Sequence, residues 1–173
     1  MSAYTKIVEE EGTLKGLAAY SAGRPPHSEG LAIFIASYLA NETDLPNINL
    51  LHLTSRKAVL AALQMAAVFP HINFRREVTI GHLMLDTDSK AASLAKVNPP
   101  IRPREDVEYL WEQLVAGNLD WVCSDHACCK HEMKVDQKKP GNIWLAKSGF
   151  GGTEYLLAAL VSGVPCITHE RGL

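Results

Sequence analysis

The stretch that decides the fold is Gly117–Cys129, which reads GNLDWVCSDHACC. Residues 119–123 form a short apolar run directly after a helix-stopping glycine, and this predicts a buried parallel strand. Asp125 and His126 follow that strand. In α/β folds the active site usually lies at the carboxyl ends of the strands, because the loops that follow the strands converge there. Asp125 and His126 therefore occupy positions typical of active-site residues. The alternative interpretation is that Asp125 caps a turn and His126 is a solvated loop residue.

Two further strands are predicted upstream. Residues 48–53, INLLHL, contain His52 near their end, and residues 72–80, INFRREVTI, lead into polar groups from Thr79 to His82. Helices are predicted between the strands, and strands separated by helices form a parallel sheet with right-handed crossovers. The carboxyl ends of the three strands then share one edge of the sheet. The sequence therefore predicts an active site at that edge, built from polar residues that follow separate strands.

The helix boundaries follow from capping residues and breakers. Pro25 and Pro26 predict a loop, and Ser28 is the expected N-cap of the helix that follows. Gly163 is the expected end of the last helix, and the long polar segment 126–152 is expected to be a functional loop or lid. The predicted helices span residues 28–41, 56–68, 103–116 and 153–163.

Length and composition predict a single soluble globular domain. The chain has 173 residues, of which 47% are hydrophobic and 21% charged, with a net charge of −2. Scattered Lys and Arg residues give no support to a nucleic-acid partner. No apolar run approaches the roughly 18 residues that span a bilayer, and the first residues lack an apolar signal region. A cytoplasmic protein without a membrane partner is the expectation.

The four cysteines leave two interpretations open. Cys123, Cys128 and Cys129 lie close to His126 and His131, which would suit a zinc cluster. Structural zinc sites usually have two separated ligand pairs, and this spacing does not match that pattern. Reduced thiols in a cytosolic protein are the favoured interpretation.

Five motifs in order resemble the cyclic amidohydrolases, the family of dihydroorotase, dihydropyrimidinase (hydantoinase) and allantoinase. The similarity runs from about residue 24 to residue 163. The motifs are AGRPPHSEG at 22–30, LLHLTS at 50–55, EVTIGHLML at 77–85, KVNPPIRPREDVEYLWEQLVAGNLDWVCSDHA at 96–127, and GFGGTE at 149–154.

The resemblance implies a role for four residues. His52 is similar to a metal-ligand histidine at the end of the sixth barrel strand. Asp125 is similar to the aspartate at the end of the eighth, which ligates a metal and acts as general base. Such a metal, expected to be zinc, lowers the pKa of a bound water, and the carboxylate passes its proton to the leaving nitrogen of a ring amide. Asn98 resembles a residue that holds the ring amide, or it simply sets a turn before Pro99, and His126 resembles a substrate contact.

The resemblance also implies a partial fold. These enzymes are (β/α)8 barrels of the metal-dependent hydrolase type with an HxH pair on the first strand, and this sequence has no HxH pair. A complete barrel takes roughly 250 residues. The expectation is one incomplete barrel domain over residues 1–173, comprising about the last three strand-helix units.

Two hypotheses on function follow from the resemblance. In the first, the chain is a segment of a cyclic amidohydrolase that hydrolyses a dihydroorotate-like or hydantoin-like substrate and is inactive alone. In the second, it is a non-catalytic homologue that serves as an assembly or binding subunit. Three parallel strands leave open sheet edges, so association with further copies is expected in either case.

Overall fold

The computed structural model describes residues 3–135, 139 and 141–170, with side chains described as far as residue 163. Helices and strands alternate through most of this range. In chain order the elements are α1 Ala3–Glu11, α2 Gly16–Ala22, α3 Pro26–Glu42, β1 Asn47–Leu50, α4 Arg56–Val68, β2 Asn73–Thr79, α5 Ile80–Met84, a 3-10 turn Ala92–Ala95, α6 Arg104–Val115, β3 Trp121–Cys123, α7 His131–Lys134 and α8 Leu156–Glu170.

The three strands form one parallel sheet in the order β1-β2-β3. In register, Asn47 lies opposite Asn73 at the start of the β1-β2 pair, and Thr79 lies opposite Cys123 at the end of the β2-β3 pair. The predicted parallel α/β arrangement is therefore confirmed, and the carboxyl ends of the strands share one edge. Among the described residues, β1 pairs on one side only, so its outer edge is open.

The main core lies between the sheet and the helices α4 and α6. Phe74 and Val78 of β2 point into it, together with Leu110 and Trp111 of α6. These side chains are all buried, and the apolar contact area is what holds the helices on this face of the sheet. The opposite face of β2 carries Glu77 and Thr79.

Three predicted helix boundaries were wrong, namely the start of α3 and both ends of α8. Helix α3 begins at Pro26, two residues before the expected cap Ser28, because a proline in the first turn loses no helical hydrogen bond. Ser28 instead donates its hydroxyl to the carbonyl of Pro25, at 2.7 Å. Helix α8 begins at Leu156 and continues past Gly163 to Glu170, so that glycine is not a helix terminator.

The decisive strand is shorter and less buried than predicted. It spans Trp121–Cys123, and all three residues are only half-buried. The long segment after it contains the short helix α7 and is otherwise irregular over its described residues.

Helix α3 buries three small residues and one isoleucine, and it exposes most of its large apolar side chains. Gly30, Ile33, Ser37 and Ala40 are buried, and α3 packs closely against α4. The exposed large apolar side chains of this helix are Leu31, Phe34, Ile35, Tyr38 and Leu39.

No helix in the described part of the chain combines the length and apolar character needed to cross a membrane.

Candidate active site

His52 and Asp125 occupy equivalent positions at the carboxyl edge of the sheet. Each lies two residues beyond a strand, His52 after β1 and Asp125 after β3. Their backbones share a left-handed conformation, with φ of 42° and 44°. Residues other than glycine rarely adopt this region, and it costs about 1 to 2 kcal/mol per residue. Strained backbone of this kind concentrates at functional sites, where the surrounding structure maintains it.

Glu77 holds the turn that carries His52, and sequence reasoning did not identify it. Its Oε1 accepts the backbone N–H of His52 at 3.1 Å, and its Oε2 accepts the indole N–H of Trp121 at 2.8 Å. One carboxylate on the central strand therefore ties the end of β1 to β3. The available signal was a charged residue inside a run predicted to be a strand.

Cys123 is not a nucleophile candidate in this environment. Burial, together with the hydrogen bond and the charge of the neighbouring Glu77 carboxylate, raises the pKa of its thiol to about 12. A thiol with such a pKa stays protonated at neutral pH, and the thiolate is the reactive form.

His82 is a buried structural histidine that links β2 to the segment of Asn98. Its Nε2 lies 3.0 Å from the carbonyl oxygen of Pro99, and its Nδ1 lies 2.7 Å from Oγ1 of Thr79. A carbonyl only accepts, so Nε2 carries the proton and Nδ1 accepts the Thr79 hydroxyl. Burial is the main cause that lowers the pKa of His82 to about 4. The ring is therefore neutral at physiological pH.

His52 and Asn98 line one cavity of about 570 Å³. Oδ1 of Asn98 accepts the hydroxyl of Tyr20 at 2.7 Å, and its Nδ2 donates to Oγ of Ser148 at 3.2 Å. These bonds fix the amide plane while leaving one N–H and one lone pair of the side chain for another partner. A cavity of this size is within the range of small-molecule sites.

The structure does not place Asp125 or His126 in the lining of that cavity. His126 is exposed, and its Nδ1 lies 3.0 Å from Oγ1 of Thr153 and accepts the backbone N–H of Gly152 at 3.3 Å. The ring is thereby attached to the GFGGTE motif. Asp125 is exposed at the strand end beside it.

The described donor set fits a metal by residue type but not by number. An imidazole and a carboxylate are both ordinary zinc ligands. Within the described ranges, however, no group of three or more His, Cys, Asp or Glu residues comes together. Zinc sites in proteins use at least three protein ligands. His52 and Asp125 are therefore insufficient to form a complete centre from the described residues.

Together these features define the class of protein: an α/β fold with a parallel sheet whose polar residues gather at one edge, as in part of a barrel hydrolase. No family model matches the chain. An allantoinase of Rubrobacter xylanophilus is 38% identical over 157 residues, which is 89% of this chain and 32% of the relative. An allantoinase of Salmonella gallinarum is 32% identical over 137 residues, 78% of this chain and 28% of the relative.

Solved structures of a hydantoinase and a dihydropyrimidinase also match most of this chain. The L-hydantoinase (dihydropyrimidinase) of Arthrobacter aurescens matches 95% of this chain and 36% of its own with a TM-score of 0.83 and 29% identity. A dihydropyrimidinase of Brevibacillus agri shares the fold, with a TM-score of 0.77 over 94% of this chain at 24% identity. The chain belongs to the cyclic amidohydrolase family, and it spans about a third of the length of these relatives.

Proposed function

We propose that this chain is a segment of a metal-dependent cyclic amidohydrolase of the TIM-barrel type, corresponding to the last three strand-helix units. The reaction is hydrolysis of a ring amide C–N bond. The observation that carries the proposal is the equivalent left-handed backbone of His52 and Asp125, two residues beyond parallel strands. Homology to allantoinases and hydantoinases supports a ureido ring as the substrate class, with a dihydroorotate-like ring suggested by the Asn98 motif.

Each site residue has a proposed role. Asp125 accepts the proton of the attacking water and returns it to the leaving nitrogen, as a positioned carboxylate does in general acid-base catalysis. Asn98 holds the ring amide, and His126 contacts the substrate from the GFGGTE side. Glu77 positions His52 through its backbone N–H.

His52 and Asp125 are the residues that would contribute to a divalent metal, with zinc the proposed ion. Such a metal supplies a water of lowered pKa and polarises the scissile carbonyl. The two donors are too few, so the remaining ligands lie outside the described residues. The isolated chain is accordingly proposed to be inactive.

Two further properties belong to the proposal. A cytoplasmic location is supported by Cys123, Cys128 and Cys129, which are all unpaired thiols. A homo-oligomer is supported by the open edge of β1 and the exposed apolar face of α3.

A non-catalytic homologue is the second candidate. In this case the chain keeps the fold, lacks a working metal site and serves as an assembly or binding subunit. The observation in its favour is the incomplete donor set among the described residues.

Metal content tests the proposal on the purified chain. The chain is loaded with excess zinc, passed through gel filtration and analysed for zinc, alongside His52→Ala, Asp125→Ala and the matched control His27→Ala. We expect well below one zinc per chain after filtration. We also expect weak binding in a zinc titration that is lost in the first two variants and unchanged in the control. Retention of one or two zinc ions that survives both substitutions would contradict the assignment.

A further inference from the structure

Three sulfur-bearing side chains line one cavity beside the short helix α7. Cys128 and Cys129 lie just before this helix and Met133 lies within it, and the cavity that they share has a volume of about 650 Å³. Cys128 is exposed and Cys129 is half-buried, and both are free thiols. Met133 is 43% exposed although its side chain is apolar. The cavity therefore offers two thiols and one thioether to an ion that arrives from solution.

Hydrogen bonds hold the segments that carry these side chains against the residues that lead into the GFGGTE motif. The backbone N–H of Lys147 donates to the carbonyl oxygen of Met133 at 2.8 Å. The thiol of Cys129 donates to the carbonyl oxygen of Gly149, with a sulfur-oxygen distance of 3.6 Å. The backbone N–H of Gly149 in turn donates to the carbonyl oxygen of Lys96 at 2.9 Å. A backbone held in this way lowers the cost of gathering the sulfur donors around an ion.

The charges around the cavity suit a pair of thiolates. Lys130 and Lys147 line it as cations, and the carboxylate of Glu132, which also lines it, lies 3.9 Å from Nζ of Lys130. Lys134 is buried nearby, and its Nζ donates to a backbone carbonyl oxygen at 2.8 Å. Burial lowers the pKa of Lys134, and the charge of a Cys129 thiolate opposes that shift. Two thiolates that bind a monovalent cation keep one net negative charge, which the surrounding lysines offset.

The donor set distinguishes between metals. Thiolate and thioether sulfur are the soft ligands that monovalent copper prefers, whereas zinc is bound by at least three Cys, His, Asp or Glu side chains. His131 does not line the cavity, and no group of three such zinc ligands forms within the ranges that the structure describes. The three sulfur atoms therefore favour monovalent copper over zinc.

We propose that Cys128, Cys129 and Met133 form a binding site for monovalent copper. Each cysteine loses its S–H proton to the solvent and forms one copper–sulfur bond, while Met133 adds its neutral thioether as a third ligand. Copper keeps its single positive charge throughout, so the step needs neither an oxidant nor a reductant. The site is separate from the candidate active site, because neither Asp125 nor His126 lines this cavity. The inference goes beyond the proposed function and does not depend on it.

Competition with a coloured copper chelator tests the site. The purified, reduced chain is titrated under anaerobic conditions into the complex of monovalent copper with bicinchoninate, whose colour fades as copper moves to the protein. We expect the chain to take up one copper ion. X-ray absorption of the copper-loaded chain should show sulfur atoms as the only neighbours of the metal. Zinc added at the same concentration should not displace the copper, because the ligands are soft.

Four variants locate the copper. Replacing Cys128 and Cys129 together by serine should abolish the transfer, because both thiolates are lost. Met133→Leu keeps an apolar side chain of similar size without the sulfur, and we expect it to weaken binding at least about tenfold. Met84→Leu is the matched control, since Met84 is also 43% exposed but does not line the cavity. Cys123→Ser is the corresponding control for the thiols, and both controls should bind copper like the wild-type chain. Circular dichroism confirms that each variant is folded.

Several results would overturn the inference. They are a chain that removes no copper from bicinchoninate, and a folded double serine variant that still binds copper as the wild-type chain does. Equal binding by the Met133→Leu and Met84→Leu variants would exclude the thioether and with it the three-sulfur site. One copper ion per two chains would place the metal between copies, which also contradicts a site within one chain. The zinc experiment on His52 and Asp125 reports on the catalytic proposal separately, because the copper ligands are different residues.

Discussion

At the residue scale, the feature most relevant to function is the left-handed backbone conformation of His52 and Asp125. Both residues adopt a conformation that disfavours a Cβ atom, and neither is a glycine. Their side chains are therefore present in spite of the backbone geometry. Asp44 and Ala92 adopt the same region away from this edge of the sheet, so the functional argument rests on the equivalent positions of His52 and Asp125 after parallel strands.

The strain at His52 is measurable. Replacing His52 by glycine and by alanine removes the imidazole in both cases, but only glycine relieves the left-handed strain. We expect the free energy of unfolding of His52→Gly to exceed that of His52→Ala by about 1 kcal/mol. Urea denaturation measures the difference. At His27, which lies in α3, the order should be reversed, because glycine destabilises a helix. Equal stability of the two His52 variants would show that the turn is unstrained.

His82 should make stability depend on pH. Its pKa is lowered to about 4 in the folded chain, while an unfolded histidine has a pKa near 6.5. As the pH falls below 6.5, the unfolded state binds a proton that the folded state does not. The stabilisation is thus fully present above pH 6.5 and is lost as the pH falls toward 4, by roughly 3 kcal/mol at most.

Denaturation curves at several pH values test this dependence. The wild-type chain should lose more stability between pH 7.5 and pH 4.5 than His82→Gln, which cannot titrate. Parallel losses in the two proteins would mean that other groups cause the acid sensitivity.

At the element scale, the strands were predictable and some helix ends were not. Apolar runs located all three strands, and the alternation with helices gave the parallel sheet. The prediction that the last helix ends at Gly163 was wrong, because this glycine is needed for a tertiary contact and not for a helix end. A Cβ atom at this position would lie 2.3 Å from Cζ2 of Trp111 in α6, so the glycine allows α8 to pack rather than to stop. No local signal carries that information.

Substitution by alanine should have opposite effects on stability at two helical glycines, because only Gly163 lies too close to a neighbouring side chain. Gly163→Ala should destabilise the fold by about 1 to 3 kcal/mol, because overpacking against Trp111 outweighs the better helix propensity. Gly30→Ala should instead be neutral or stabilising, because its nearest contacts are ordinary, at 3.6 and 3.7 Å. Thermal unfolding of both variants tests the packing of α8 on α6. A stabilised Gly163→Ala would contradict it.

The candidate site could be predicted only in part from the sequence, because contacts between residues far apart in the chain leave no local signal. His52 and Asp125 were found because each follows a strand, and their roles stay predictions. Glu77 was missed because its partners His52 and Trp121 are 25 and 44 residues away. A glutamate in a strand gives no indication of the backbone N–H that it binds. Arg24 was likewise part of a motif, and the motif gave no sign that its buried Nη1 finds no hydrogen-bond partner among the described residues.

At the scale of the whole molecule, the chain exposes surfaces that favour association. Ile35 and Tyr38 of α3 are 52% and 57% exposed, and β1 pairs on one side only among the described residues. We expect light scattering at micromolar concentration to show a dimer or larger species. Substituting both residues by lysine should reduce the association, because buried charges at an interface are costly. The double variant Lys6→Ala and Glu10→Ala on α1 is the surface control. A monodisperse monomer for the wild-type chain would contradict the expectation.

The central claim is that this segment carries working parts of a ring-amide hydrolase. Its most direct test is hydrolysis of hydantoin by a chimera, in which residues 24–163 replace the matching segment of the Arthrobacter aurescens L-hydantoinase. We expect measurable hydrolysis, reduced at least about 100-fold by either His52→Ala or Asp125→Ala, in the range of lost acid-base catalysis. A folded, metal-containing chimera that is inactive, or one that either substitution leaves fully active, would contradict the claim.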